Sequence, residues 1–258
     1  MPSDKTSSPA FPPGLRRRII LQPGPGWIGG ALEDDLHRFH LRFDHAGGRI
    51  SRAYAATLRH PWSACPGAAP HIAGELTGAL LADVAARDPA QHCTHLYDLA
   101  VVLAAHANDK APSSFDMRVA DRVGERTTAT LIEDGAEVLH WQLEGSAITG
   151  GDHAGRDLRK LSGWKQELAG REAERAVMLR RSVFISGARQ YTFPATETAA
   201  NQGPMRMGVC FNYQLPQAAQ STRTPGWLND FSMSGTQPLA GFDAQTVLGA
   251  MQDTADAR

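Results

Sequence analysis

The sequence is poor in cysteine: Cys65, Cys93 and Cys210 are the only three in 258 residues. An odd, low number excludes a disulfide framework and fits reduced thiols of the cytoplasm, where the chain is expected to reside. It also lacks an excess of either charge. The formal net charge is −1, which argues against nucleic acid and against an anionic membrane surface, since both draw on a basic footprint. No long apolar run is present. The longest, Leu99 to Ala105, falls far short of the ~20 residues needed to span a bilayer. Residues 1–14 are polar and proline-rich, without the apolar stretch of a signal peptide. No glycine-rich loop with lysine and hydroxyl precedes a helix, and no GxSxG elbow occurs. Gly24, Gly26, Gly29 and Gly30 approach a dinucleotide pattern, but Pro23 and Pro25 and the missing helix speak against it. No cofactor is therefore expected. There is no internal repeat.

What the chain has is a composition of ordinary globular type, 42% hydrophobic and 21% charged, and length enough for a full core. After a flexible tail (1–14), a short strand is expected at Arg18 to Gln22. From His37 to His45 the residues alternate. His37, Phe39, Leu41, Phe43 and His45 point one way, and Arg38, His40, Arg42 and Asp44 the other, which marks a half-buried antiparallel strand. Gly47-Gly48 supplies a tight turn and Ile50 to Leu58 the return strand, with Phe43 facing Arg52, Leu41 facing Tyr54, and Phe39 facing Ala56. Residues 59–69 read as a loop. Helices are expected from Pro70 to Ala86, on a stripe of Ile72, Leu76, Leu80 and Val84, and from His95 to Ala107 with Thr94 as N-cap. Strands return between Phe115 and Leu143, turning at Asp134-Gly135, and a charged amphipathic helix covers Trp164 to Phe184. This order predicts an α+β fold: a mostly antiparallel sheet, two central helices, a C-terminal helix and an irregular arm. The core spans 15–185, and residues 186–258 form an arm or lid packed on it.

Eight of the ten histidines and two of the three cysteines precede residue 107. In HCTHLYD (92–98), Asp98 lies three residues after His95, the spacing that lets a carboxylate fix an imidazole as a general base. His106 returns to that face, and Cys93 sits where a helix dipole lowers a thiol pKa. The bland alternative is that Thr94 and Asp98 only cap and charge the helix start. In RHPWSACPGA (59–68), Arg59 and His60 end a strand before Trp62 and Cys65. Cys65 reads better as a small hydrophobe than as a nucleophile, and Trp62 as a pocket wall. His37 and His45 border the apolar strand face opposite Tyr54 and Arg52, an arrangement of ligand-pocket type or simply of solvated strand ends. No metal is expected: no pair among His37, His40, His45, His92, His95, Cys65 and Cys93 has the spacing of a zinc motif.

The RHPWSACPGA loop together with HCTHLYDLA, after an LEDDLHRFHLRFDH strand and a Gly-Gly hairpin, resembles a bacterial domain family of unknown function marked by a CPGA loop and a CTH-x-x-D helix start. The likeness covers roughly residues 15–185 and carries over Arg59, Trp62, Cys65, Cys93, His95 and Asp98 as motif positions. It implies a link to catabolism of aromatic compounds, including cleavage of lignin-derived dimers with loss of formaldehyde. The combined expectation is a cofactor-free lyase on a small phenolic substrate. His95, oriented by Asp98, would act as base, with Tyr54, His37 or His45 as acid; Arg59 would steady oxyanion charge, and Trp62 and Phe39 would stack on the ring, with Cys65 and Cys93 lining the site. A metal-dependent hydrolase using the His/Cys groups and a non-catalytic binder of aromatic ligands are the alternatives. The sequence leaves a homo-oligomer open.

Overall fold

A computed structural model describes residues 11–160, 164, 167–190 and 197–251. Its centre is one eight-stranded antiparallel sheet in the order β4-β3-β2-β1-β5-β6-β7-β8. The strands are β1 (Gly14–Gly24), β2 (Trp27–Asp34), β3 (Arg38–Ala46), β4 (Arg49–Arg59), β5 (Ser113–Ala120), β6 (Arg126–Glu133), β7 (Ala136–Glu144) and β8 (Ala147–Gly151). Every strand turns into its neighbour except at β4. There α1 (Ala68–Leu76) and α2 (Thr94–Ala105) intervene before β5 returns to pair with β1. The fold is α+β, as the grouping of strands and helices predicts.

Three helices cover one face: α1 lies on β4, α2 on β2 and β3, and α3 (Gly170–Ser186) on β1, β5 and β6. Between them and the sheet lies the main core, with Phe39, Leu41, Phe43, Phe115 and Trp141 fully buried. Burial of that many large apolar side chains, at ~25 cal/mol per Å² of apolar area, is the main force holding the layers together. On the opposite face α6 (Ala244–Gly249) packs on β1–β3, and Leu248 joins Trp27, Tyr54 and Met251. Because helices cover both faces, β2 is buried at all eight positions and lacks the alternation that reveals a half-buried strand. Its Gly29 and Gly30 let helices approach closely: a Cβ on Gly30 would lie 2.9 Å from Leu99 Cδ1, and one on Gly29 2.8 Å from Leu248 Cβ.

The Gly47-Gly48 turn forms with φ of +56° and +77°, but the hairpin register differs from the expected one. A bulge at Ser51 shifts the ladder, so Phe43 faces Ala53, Leu41 faces Ala55 and Phe39 faces Thr57. A one-residue slip moves a side chain to the other face of the sheet. Tyr54 therefore pairs with Arg42 and joins the α6 cluster. The first expected helix stops early, at Leu76, and Gly78 at φ +87° turns the chain into a 3₁₀ segment, Leu81–Ala86. Within the expected tail, residues 1–10 lie outside the described residues; Phe11 and Pro12 carbonyls accept from Arg16, and Pro13 O accepts from Asp121 N–H. Of the helix expected to begin at Trp164, residues 161–163, 165 and 166 are also outside them. No helix among the described residues is long and apolar enough to cross a membrane.

The arm (197–251) contains only short helices, α4 (Gln217–Gln220), α5 (Phe231–Ser234) and α6. It is tied back by backbone bonds: Phe211 N–H to His92 O, Ser63 N–H to Thr222 O, Thr224 N–H to Pro61 O and Asn229 N–H to Asp35 O. These bonds lay the arm across the 59–69 loop and the start of α2.

Candidate active site

Four segments converge on one cavity of about 290 Å³: the β2–β3 turn, the 61–68 loop, the start of α2, and the arm with the end of α3. The turn is built by Asp34. Its Oδ1 accepts the backbone N–H groups of Leu36 and His37, both at 2.8 Å, and the His37 Nδ1–H at 3.0 Å. Its Oδ2 accepts from Arg17 Nη1 at 2.6 Å. Short polar side chains that bond the backbone two and three residues on are what tight turns select. Here the same bond also aims an imidazole.

Asp34 has no exposed surface and Arg17 almost none. Burial alone would push the Asp34 carboxyl up, but the adjoining His37 ring and Arg17 reverse this and hold it well below the usual carboxylate range. An ionised Asp34 accepting from Nδ1 fixes the His37 tautomer, leaving the Nε2 lone pair as a base. His95, from the first turn of α2, lies over His37 with ring centroids 3.8 Å apart and planes at 31°. Burial first, then the neighbouring His37 and Arg17, lower His95 well below the ordinary histidine value. Its Nδ1 lies 3.5 Å from Thr94 Oγ1 and 3.9 Å from Cys93 Sγ, and its Nε2 is buried without a partner. Two imidazoles this close cannot both carry charge at low cost.

The walls are aromatic. Phe39 lies against both imidazoles, at 5.6 Å from His37 and 5.9 Å from His95. Trp62, buried, meets Tyr213 edge to face at 6.0 Å, and Phe184, Phe211 and Trp227 complete the lining. All three cysteines line this cavity. Burial raises the thiols: Cys93 is pushed up to about 12, Cys65 well above its ordinary value, and Cys210 in the same direction. The helix start does not lower Cys93, because desolvation outweighs the dipole there.

Of the residues singled out in the sequence, His37, His95, Phe39, Trp62, Cys65 and Cys93 meet at the cavity. Four of the residues given catalytic or binding roles do not line it. Tyr54 is on the other face of the sheet, for the register reason given above. His45 lies at the far end of β3, eight residues from His37 and so roughly 27 Å away along an extended strand. Asp98 does share a helix with His95, but it takes Arg181 in a two-pronged ion pair at 2.6 and 3.2 Å instead of the imidazole. Arg59 sits behind the β2–β3 turn and donates to the carbonyls of Asp34, Asp35, His37 and Trp227 and to Glu33. It positions the turn and is too occupied to meet an oxyanion.

No protein-family model matches the chain. No curated protein matches its sequence either. The likeness drawn from the CPGA loop and the CTH-x-x-D helix start therefore rests on those residues alone.

Sequence reasoning missed Asp34 and Arg17, and with them the carboxylate that orients His37. The signal was present as Asp-x-x-His in LEDDLH, where a turn brings residues i and i+3 together. The arm residues Arg206, Asn212, Tyr213 and Arg223 carried no periodic signal, because irregular chain has none.

Proposed function

We propose that this protein is a lyase of small phenolic compounds that breaks a C–C bond by general acid–base catalysis and releases an aldehyde such as formaldehyde. The observation that carries the reading is the Asp34–His37 pair, stacked on His95, at the base of an aromatic-walled cavity. A para-hydroxyphenyl substrate stacks on Trp62 and Phe39. Loss of its phenolic proton together with the benzylic hydroxyl, as one water, leaves a quinone methide. His37 Nε2 then takes the proton of a neighbouring primary alcohol. That alcohol becomes formaldehyde as its C–C bond breaks, and the released electron pair restores the ring and forms an aryl alkene. Diol goes to alkene, water and formaldehyde with no change in overall oxidation level, so the chemistry calls for no electron acceptor. The ring is released as a phenolate and takes back the proton that His37 removed, while neutral His95 packs against the His37 ring.

The test is formaldehyde release from a para-hydroxyaryl 1,3-propanediol. His37→Gln should lower kcat by about 10²–10⁴-fold, the usual range for a general base. Unchanged turnover in that variant would remove His37 as the base.

One observation favours a second reading. Asp34, His37 and His95 each offer a ligand atom, and these atoms lie within 4.8 Å of one another. Both Asp34 oxygens are already taken by Arg17, His37 and backbone N–H groups, so Asp34 suits orientation of a histidine ligand better than direct ligation. About one zinc per purified chain, with activity lost on chelation, would favour metal-assisted hydrolysis.

A further inference from the structure

The lining of the cavity also has a chemistry that acid–base catalysis on a neutral phenol does not use. Three arginines, Arg181, Arg206 and Arg223, line the cavity, and among its described lining residues there is no carboxylate. Asp98 neutralises Arg181 from outside the lining. Glu197, which acts on Arg223, is also outside it. Arg223 is stacked between two indoles, with its guanidinium carbon 3.9 Å from the Trp62 ring centre and 4.7 Å from that of Trp227. Stacking occupies the faces of a guanidinium and directs its N–H donors along the edge, the geometry for two-pronged binding of a carboxylate. A backbone bridge between Trp62 and Arg223 fixes this arrangement.

Asn212 is a second, independent sign. It is 3% exposed and lines the cavity, and its Nδ2 is buried without a partner. Its amide is held by a chain of hydrogen bonds. Ala64 N–H donates to Ser221 Oγ at 3.1 Å, and Ser221 Oγ–H donates to Asn212 Oδ1 at 2.6 Å. The carbonyl end is thereby satisfied and the NH₂ end is not. A buried donor with no acceptor costs about 1–3 kcal/mol, so such a group calls for an acceptor supplied by a ligand.

We propose that Arg223, Arg206 and Asn212 form a carboxylate subsite, and that the natural substrate is an aryl acid: a phenolic ring whose reacting carbon lies at His37 and His95 while an anionic group at the other end is held by the arm. The proposal rests on the catalytic reading only for which end reacts; the anion subsite stands on its own residues. It also gives the arm a role, since two segments distant in the chain must come together before an acid can be bound.

The experiment is calorimetric titration of the full chain, near neutral pH, with 4-hydroxyphenylacetate and with its methyl ester. The acid should bind about tenfold tighter or more. Arg223→Gln and Asn212→Ala should each bring acid and ester to within a factor of two or so, with ester affinity retained as the sign that the cavity is still folded. Arg223→Lys, which keeps the charge but not the fork, should recover part of the preference. Equal binding of acid and ester by the unaltered protein, a preference that survives in both Arg223→Gln and Asn212→Ala, or failure of the acid to bind at millimolar concentration would each overturn the subsite. The catalytic reading fails separately. If the acid is preferred but no aldehyde is ever released, the subsite stands without the lyase. If aldehyde is released from neutral diols with no preference for acids, the lyase stands without the subsite.

Discussion

Asp34 commits both of its oxygens inside the protein, to Arg17 on one side and to His37 and two backbone amides on the other. Removing the charge leaves Arg17 buried and unpaired, a loss of about 3–5 kcal/mol when one partner of a buried pair is taken away. Asp34→Asn should therefore lower the denaturant midpoint strongly and also reduce turnover, because the His37 tautomer is no longer imposed. The folded-state carboxyl is held well below the ordinary 3.8. Its contribution is fully present above that value and disappears only as pH falls through the depressed folded value. The cysteines behave oppositely. With Cys93 pushed up to about 12 and Cys65 and Cys210 also raised, the thiolate population near pH 8 is small. Alkylation of the native protein, followed by mass spectrometry, should run at least ~100-fold slower than in denaturant. Rapid native labelling of Cys93 would contradict its burial. At this scale the sequence showed the imidazoles and thiols but paired His95 with the wrong carboxylate: Asp98 has helical spacing from His95, yet α3 supplies an arginine that takes it.

At the scale of elements, glycines separate two kinds of constraint. Gly48 in the β3–β4 turn has φ of +77° and nothing within 4 Å of an added Cβ. Gly48→Ala should cost only the left-handed backbone penalty, about 1–2 kcal/mol, and leave the cavity intact. Gly30 has room for α2 and nothing more: its added Cβ would meet Leu99 Cδ1 at 2.9 Å and Leu103 Cδ2 at 3.1 Å. Gly30→Val should cost about 1–3 kcal/mol from overpacking and push α2, with His95, away from His37. Comparing ligand affinity of the two variants with their stabilities distinguishes the cases, since only the Gly30 change should weaken binding more than its stability loss explains. The β3 alternation and the Gly-Gly turn were readable because only local sterics are involved. The register was not, because the bulge at Ser51 has no local signature, and it carried Tyr54 to the other face. Strand β2 was invisible because helices on both faces removed its alternation.

For the whole molecule, histidines decide how stability responds to acid. His40, buried against Phe242 on the α6 face, is lowered from 6.5 to about 4 by burial and then by Arg38. His45, His60, His92 and His95 are lowered too, burial being the largest cause in each. A histidine with a depressed folded value binds its proton more readily when unfolded, so stability falls as pH drops from about 6.5 towards 4. His106 runs the other way: bonds to Glu174 and Asp109 outweigh its burial and raise it, so its contribution is complete at acid pH and lost as pH rises through the raised value. Five lowered histidines against one raised predict net destabilisation on acidification. Urea midpoints should fall between pH 6.5 and 4, and His40→Gln should flatten that slope; a flat profile in the unaltered protein would refute the assignment.

The sequence by itself determined the fold class, the positions of most strands and helices, and the early concentration of histidines and cysteines from which His37, His95, Cys65 and Cys93 line the cavity. Those follow from side-chain periodicity, glycine turns and composition, which act over a few residues. Only the tertiary structure decided which carboxylate serves which imidazole, which face Tyr54 occupies, and that the irregular arm closes the cavity with arginines and Asn212. The reason is physical: ion pairing, strand register and loop docking are settled between segments that can lie more than two hundred residues apart, such as Glu33 with Leu239, and no local pattern encodes which distant partner is reached first.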